Sequence, residues 1–540
     1  MPKEPYWFLD SVRAGCYPSA GPGRDSRAVV LVMSLKLQAL KNIAANWSGL
    51  IANMVIGFLL APFILHRLGD VAFGLYALAF SFTGYYGLLD FGIRSAIIRY
   101  VARFTVTREG DELNRLINTS LATYSLLAVV VLGMTAVGAA KAAALFKVPP
   151  GYGPTVEALF LIVGAGVALQ LPLFVFGAIL EGLQRFVLLN AVQFAGAVLR
   201  AVLIVVALTH GGGVLMLAVI TMGVGVLSCV PYIFVVATRV PIQFGRKWVQ
   251  PAALKTIFGY GSATFICGIA EKFRFESDAI VIGIMLSAAA ITYFSIASRL
   301  TDYSSNLVQY LAQVFTPMSS ELDASGDVGR LQAIVLAGNR ACALVALPLC
   351  TGMILLGRPL IAAWMGSRYV SCFSVLVLLV TVRTLYVSQA ASTKVAFGMN
   401  RHRAVAWMLI AEGTANVLLS VALARPWGIL GVAAGTAIPM LGTTLVFLPI
   451  YTSRLVQLRL QRYLREIFLA PIVLCLPLAL ALVAYRRLVP GLNYAALGGG
   501  MLVAAVVYGV AFGWWFFTRD SLGMALRARL AKRSQGAAAR

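Results

Sequence analysis

Residues 257–285 read IFGYGSATFICGIAEKFRFESDAIVIGIM. The stretch has the length of a membrane-spanning helix and is apolar at both ends, yet Glu271, Lys272, Arg274, Glu276 and Asp278 crowd into its centre. A helix needs about 20 mostly apolar residues to cross the hydrocarbon layer. Charge at bilayer depth costs from a few to more than about ten kcal/mol per residue, so such groups face a wet, protein-lined space. Helical spacing puts Glu271, Arg274 and Asp278 on one face and Lys272 with Glu276 on another. A set of mutually neutralising intrahelical salt bridges is the plainer alternative.

The surrounding sequence supports a membrane reading. The chain of 540 residues is 60% hydrophobic and 12% charged, with a mean hydropathy of +0.86, well above a soluble domain. Apolar windows recur near 43–65, 71–93, 116–139, 155–180, 187–209, 213–238, 257–285, 288–316, 332–356, 371–397, 404–424, 427–450, 466–485 and 494–517. The expected fold is therefore all-α and polytopic, with about fourteen transmembrane helices. The formal net charge of +24 is concentrated in the termini and in alternate loops. The positive-inside rule then places both termini in the cytoplasm.

The basic tail and the run Arg454, Arg459, Arg462, Arg465 suit anionic lipid headgroups. No aromatic-basic module for nucleic acid is present in the sequence. The seven cysteines and three histidines show no metal-ligand spacing, so neither a metal nor another cofactor is expected. Residues 1–32 lack the basic-then-apolar order of a signal peptide, and Met33 is an alternative start.

The chain also matches itself about 217 residues downstream. Tyr76 aligns with Tyr293, Gly110-Asp111 with Gly326-Asp327, Gly182 and Arg185 with Gly398 and Arg401, and Gly212 with Gly428. Separated matches in one order mark a repeat. The expected organisation is a cytoplasmic segment (1–35), two parallel six-helix bundles (36–240 and 241–455), two added helices (456–518) and a basic tail (519–540). Parallel repeats of this kind place a substrate path at their interface.

With the halves in place, the phrases PFILHRLGDVAFGLYAL (62–78), GYYGLLDFGIRSAIIRYVA (84–102), EGLQRFVLLN (181–190), SDAIVIGIMLSAAAITYFSIASRL (277–300) and GILGVAAGTAIP (428–439) resemble the bacterial polysaccharide and O-antigen flippases of the multidrug/oligosaccharidyl-lipid/polysaccharide exporter superfamily. The resemblance implies a V-shaped pair of bundles in the bacterial cytoplasmic membrane, and transbilayer movement of an undecaprenyl-diphosphate-linked oligosaccharide. A polysaccharide polymerase and glycosyltransferases would be its partners. Relatives that flip the peptidoglycan lipid precursor also carry two helices after the twelve. The competing readings are a cation-coupled multidrug exporter of the same superfamily and, from another class, a membrane-embedded O-antigen polymerase or ligase, which would need a large outer loop.

A lipid-linked sugar diphosphate calls for a hydrated cationic cavity, and Arg suits it because its planar fork pairs with phosphate oxygens bidentately. The candidates for substrate binding are Lys272, Arg274, Arg299 and Arg383. Arg299 could equally pair with Asp302. Arg94 and Arg99 are candidates for the inner gate, or topology anchors. Arg200, Arg340 and Lys394 read as snorkelling side chains near helix ends. Glu271, Asp278 and Asp302, with Glu412 behind them, are candidates to bind a coupling ion. Pro62, Pro172, Pro231, Pro317 and Pro439 are the expected kink positions.

Overall fold

The computed structural model describes residues 25–86, 90–255, 257–258, 277–491 and 493–519. Among them there is no β-strand. The first half comprises α1 (Asp25–Tyr86), α2 (Ile93–Thr107), α3 (Gly110–Leu145), α4 (Gly153–Gly182), α5 (Phe186–Thr209), α6 (Val214–Leu227) and α7 (Val230–Arg239). The second half comprises α8 (Ser277–Met285), α9 (Ala288–Ala312), α10 (Phe315–Ser325), α11 (Val328–Trp364), α12 (Phe373–Val387), α13 (Ala390–Gly398), α14 (Arg403–Gly442) and α15 (Leu448–Leu455). Two further helices follow, α16 (Leu460–Leu488) and α17 (Tyr494–Arg519).

Ten helical stretches among the described residues are long and apolar enough to cross a membrane. Two of them hold a pair of the helices expected from sequence, joined through a sharp bend. Gly69 (φ 78°) breaks α1 and Gly428 (φ 57°) breaks α14. Both are positive-φ positions that favour glycine. These two bends sit at glycines, Pro231 and Pro317 sit in the first turns of α7 and α10 just after a break in the helix, and Pro62, Pro172 and Pro439 lie inside helices without non-helical dihedrals of their own. α9 bears Arg299 and Asp302 near its middle and is not among the ten. Much of the expected seventh helix lies outside the described residues.

Large apolar side chains project outward along these helices, among them Leu126, Val129, Leu169, Leu418, Leu480 and Leu502. That surface suits lipid, with the backbone polar groups satisfied inside each helix. The chain is a multi-pass membrane protein.

The two ends of the helices differ. One, here the basic end, carries the Arg-rich connections around 108, 185, 239–247, 401–403 and 454–465. The opposite end carries the bends at Gly69 and Gly428 and the turns at 146–152, 210–213, 286–287 and 365–372. At the opposite end a single apolar core combines both halves, including Leu75, Leu78, Phe146 and Leu217 with Ile282, Ile291, Trp364 and Leu376. Toward the basic end the cores separate. One is built mainly from the first half, around Ile97, Ile117, Tyr124 and Ile179, and also takes in Ile257. Others belong only to the second half and α16, around Leu331, Val395 and Tyr463, and around Val308, Cys342 and Val387.

The added helices are joined to the second half. α16 and α17 both pack on α11. The buried Tyr463 hydroxyl donates to Gln389 Oε1 at 2.9 Å and lies 3.0 Å from Ser392 Oγ. It also accepts from Asn339 Nδ2 at 3.3 Å. A satisfied polar network of this kind fixes the docking of α16 more specifically than apolar contact alone.

Candidate functional site: a polar cavity at the basic end and a closed opposite end

A cavity of about 530 Å³ opens at the basic end. α1 contributes Asn53, α2 contributes Arg94, and α4 ends on Glu181. α5 supplies Asn190, Gln193 and Arg200, α6 is followed by Ser228, and Tyr310 reaches in from α9 of the second half. Small residues make the room: Gly49, Gly196, Ala197 and Gly225 also line it. A Cβ on Gly196 would stand 2.6 Å from Ser228 Oγ.

The charges in this cavity are unequally compensated. Arg94 donates to Glu181 Oε2 from Nη2 at 2.9 Å and from Nε at 3.2 Å. Its backbone N–H donates to Asp90 Oδ1 at 3.3 Å, and Asp90 also accepts from the Tyr124 hydroxyl. Arg200 makes no hydrogen bond, ion pair or ring contact with another group among the described residues. Arg99 is exposed and stands beside the Tyr100 ring, at 5.9 Å from its centroid.

The candidates of the second half are spread over three places. Glu271, Lys272, Arg274 and Glu276 lie outside the described residues. Arg383 is buried on α12 and forms an ion pair with Asp302 of α9. Arg299 stands over the Phe73 ring of the first half, 5.6 Å from its centroid. Arg299 and Asp302, neighbours on one helix face, thus address different elements.

Asp278 is buried in an oxygen-rich cluster between α8 and α14. The Thr436 hydroxyl lies 3.0 and 3.1 Å from the two Asp278 carboxylate oxygens, 3.2 Å from Asn416 Oδ1 and 3.3 Å from the Val432 carbonyl. Ser420 Oγ lies 2.9 Å from Asn416 Oδ1 and 3.2 Å from the same carbonyl. The Asn416 side chain also hydrogen-bonds Asp278, so a hydroxyl and an amide both answer this buried carboxylate. Hard cations are held by oxygen sets of this kind. Glu412, one turn before Asn416, accepts from the Thr443 hydroxyl where α14 passes into a π-helical turn, Thr443–Phe447. No group of three or more His, Cys, Asp or Glu side chains suited to a metal occurs among the described residues.

The opposite end is closed by contacts between the halves. A Cβ on Gly74 would overlap the carbonyl oxygen of Ala288, so α1 and α9 touch through their backbones. Thr292 Oγ1 donates to the Asp70 carbonyl at 2.6 Å. The Asp70 carboxylate accepts from Arg368 and from the Tyr369 hydroxyl. Lys147 donates from Nζ to the Met285 carbonyl at 2.6 Å and from its backbone to the Gly283 carbonyl at 3.0 Å. Trp364 stacks on Phe58, with centroids 4.6 Å apart, and donates to the Phe58 carbonyl at 2.6 Å.

Sequence reasoning read Arg200 as a snorkelling side chain and passed over the Asp70–Arg368 pair. Arg200 had a readable signal. In the otherwise apolar α5, Asn190, Gln193, Ala197 and Arg200 recur at steps of three, four and three, which is one helix face. Asp70 and Arg368 are almost three hundred residues apart, and their pairing has no local signature.

Residues 64–374 match the sequence profile of the family described as polysaccharide biosynthesis protein. The chain is 22% identical over 443 residues to an uncharacterized membrane protein of Bacillus subtilis, EpsK, covering 80% of this chain and 85% of that one. It is 20% identical over 207 residues to the probable low-salt glycan biosynthesis flippase Agl15 of Haloferax volcanii, covering 38% and 44%. Among solved structures, the lipid II flippase MurJ in an inward closed conformation superposes with a TM-score of 0.69 at 14% identity, covering 88% of this chain and 99% of that one. An inward-facing multidrug resistance MATE transporter of the MOP superfamily gives 0.66 at 16% identity, covering 76% and 94%. At these identities the structural likenesses show the fold.

Proposed function

Because the chain belongs to the polysaccharide biosynthesis protein family, we propose that it flips a lipid-linked oligosaccharide, moving the head of an undecaprenyl-diphosphate-linked glycan from the cytoplasmic to the outer leaflet for cell-surface polysaccharide synthesis. The observation that carries this reading is the asymmetry of the two ends: one core shared by both halves at the opposite end, and, at the basic end, separate cores and a polar, Arg-lined cavity in the first half that Tyr310 of the second half also lines. This is the geometry of one state of an alternating-access cycle, with the two halves as the moving bundles. With the basic end cytoplasmic, as the positive-inside rule requires, the state is inward-facing in the bacterial inner membrane and both termini are cytoplasmic.

Each part of the substrate has a place. The isoprenoid tail stays in lipid, and the diphosphate meets cations at the basic end, Arg94 and Arg99 among them. The Arg383–Asp302 pair ties α12 to α9, the helices that must move as one body. Glycosyltransferases would load the substrate and a polymerase would receive it. The agreement of the Agl15 and MurJ names on a flippase, and the cationic lining, favour this over export of a cationic drug.

Coupling is assigned to Asp278. A proton or sodium ion at the Asp278–Asn416–Thr436 cluster would neutralise the buried carboxylate, and it would drive the cycle if it bound one state better than the other.

Purified protein in proteoliposomes, with a fluorescent polyprenyl-diphosphate oligosaccharide, tests both statements. The expected result is protein-dependent exposure of the fluorophore to a membrane-impermeant quencher, faster under an imposed cation gradient. Asp278→Asn should remove the gradient response, a coupling worth roughly 5- to 150-fold, while insertion stays normal. A glycan lipid that never moves, together with expulsion of a cationic dye, would overturn the reading in favour of drug export.

A further inference from the structure

Arg200 is a cation at membrane depth that the diphosphate reading does not use. It lies fourteen residues into α5, roughly 21 Å along the axis from the basic end at 1.5 Å per residue. Arg94 and Glu181 mark the mouth of the same cavity and neutralise each other. Arg200 has no such carboxylate among the described residues. A long side chain near a helix end can reach the headgroups, but α5 continues to Thr209 and Arg200 faces the cavity wall made by Val224, Gly225 and Ser228. An uncompensated charge at this depth is costly unless the cavity water or a ligand answers it.

Between the mouth and Arg200 the lining is unusual for a site that recognises diphosphate alone. Asn53, Asn190 and Gln193 present amides, Ser228 a hydroxyl, and Tyr310 an aromatic face with a hydroxyl. Amides offer donor and acceptor side by side, which matches the vicinal hydroxyls of a sugar. A lipid tail confined to the leaflet on the basic side holds its diphosphate at headgroup level, level with Arg94. Whatever reaches about 20 Å deeper is therefore the glycan.

We propose that this first-half cavity is the glycan subsite and that Arg200 binds an oxyanion carried by a sugar, so that the transported oligosaccharide is acidic, of the uronic-acid class. The inference rests on the flippase reading and narrows its substrate. Arg suits a planar carboxylate because its fork pairs both oxygens, and Asn190 and Gln193, on the same face of α5, would hold the flanking hydroxyls.

Full-length protein in nanodiscs is titrated with three probes: a trisaccharide containing glucuronic acid, its neutral glucose counterpart, and inorganic pyrophosphate. The uronate trisaccharide should bind best, and Arg200→Gln should weaken it roughly tenfold to a hundredfold while leaving the neutral sugar unchanged. Arg200→Lys should recover part of the loss. Equal binding of the acidic and neutral sugars, or uronate binding that survives Arg200→Gln, overturns the proposal. Pyrophosphate binding that depends on Arg200 also overturns it, because the cation would then belong to the diphosphate. A proteoliposome assay with polyprenyl-diphosphate glycans, with and without a uronate, separates this failure from that of the flippase reading. If the neutral glycan lipid flips as fast as the acidic one, only the acidic-sugar inference falls. If neither moves, the flippase reading falls and takes the inference with it.

Discussion

The two ends of this protein solve opposite problems. At the opposite end, α1 meets α9 with no side chain between Gly74 and Ala288, and the Asp70 carboxylate bridges to Arg368 and Tyr369 across the halves. At the basic end the cores are separate, and amides and arginines line a cavity of the first half that Tyr310 of the second half also touches. The difference teaches how a reversible seal is built in a membrane. Apolar helix faces gain little by leaving lipid for each other, so a closure must rest on close backbone approach and a few directed polar bonds. Such contacts are lost together when one end opens, which makes the transition two-state rather than graded. The basic end instead carries a cavity with a polar lining.

The largest effect is expected from Gly74→Val. Its side chain would enter the backbone of α9, which cannot withdraw without moving the second half. Overpacking of this kind costs about 1–3 kcal/mol, enough to shift the sealed population roughly 5- to 150-fold. Thiol labelling of Ala289→Cys by an impermeant reagent should rise in the Gly74→Val background at unchanged abundance. Wild-type labelling there would remove this contact from the seal.

A smaller effect is expected at the charged latch. Asp70→Arg sets two arginines face to face, and Arg368→Asp sets two carboxylates together, so either change alone should raise labelling severalfold. The double exchange should return it toward wild type, since opposite charges again face each other. If the double variant is no better than the singles, the pair does not act across the halves. The smallest effect is expected for Lys147→Met. The exposed ammonium loses one bond to the Met285 carbonyl, but the backbone bond to Gly283 remains. The change in thermal stability should stay within about 1 kcal/mol, and a larger loss would make Lys147 a principal part of the seal.

Particular residues show why some of this was legible in advance. Mean hydropathy and window length give the class of fold, because a bilayer forces helices of one length and one polarity. The apolar windows 404–424 and 427–450 anticipated a chain reversal near 428, although not that helices on both sides would run almost into one another. Of the expected kink prolines, Pro231 and Pro317 sit where α7 and α10 restart after a break, whereas the sharp bends at Gly69 and Gly428 were not foreseen at glycines, because a reversal of direction needs positive φ. Asp278 stood out in the sequence as a charge in an apolar run. Its partners Asn416 and Thr436 did not, being uncharged and more than a hundred residues away. Arg200 was taken for a snorkelling residue because sequence position alone cannot tell lipid from cavity.

The amino-acid sequence by itself determined that the chain crosses a membrane many times, that its loops are cationic at one end, and which charges interrupt apolar stretches. All of these follow from one-dimensional quantities: hydropathy over a window, spacing along a helix, and the count of arginines in a loop. Only the tertiary structure decided which charges are answered and which are not. Arg383 meets Asp302, Arg94 meets Glu181, and Arg368 meets Asp70, while Arg200 faces a cavity. The cost of a buried charge depends on what lies within a few ångströms of it, and in a bundle of long helices those neighbours come from distant parts of the chain.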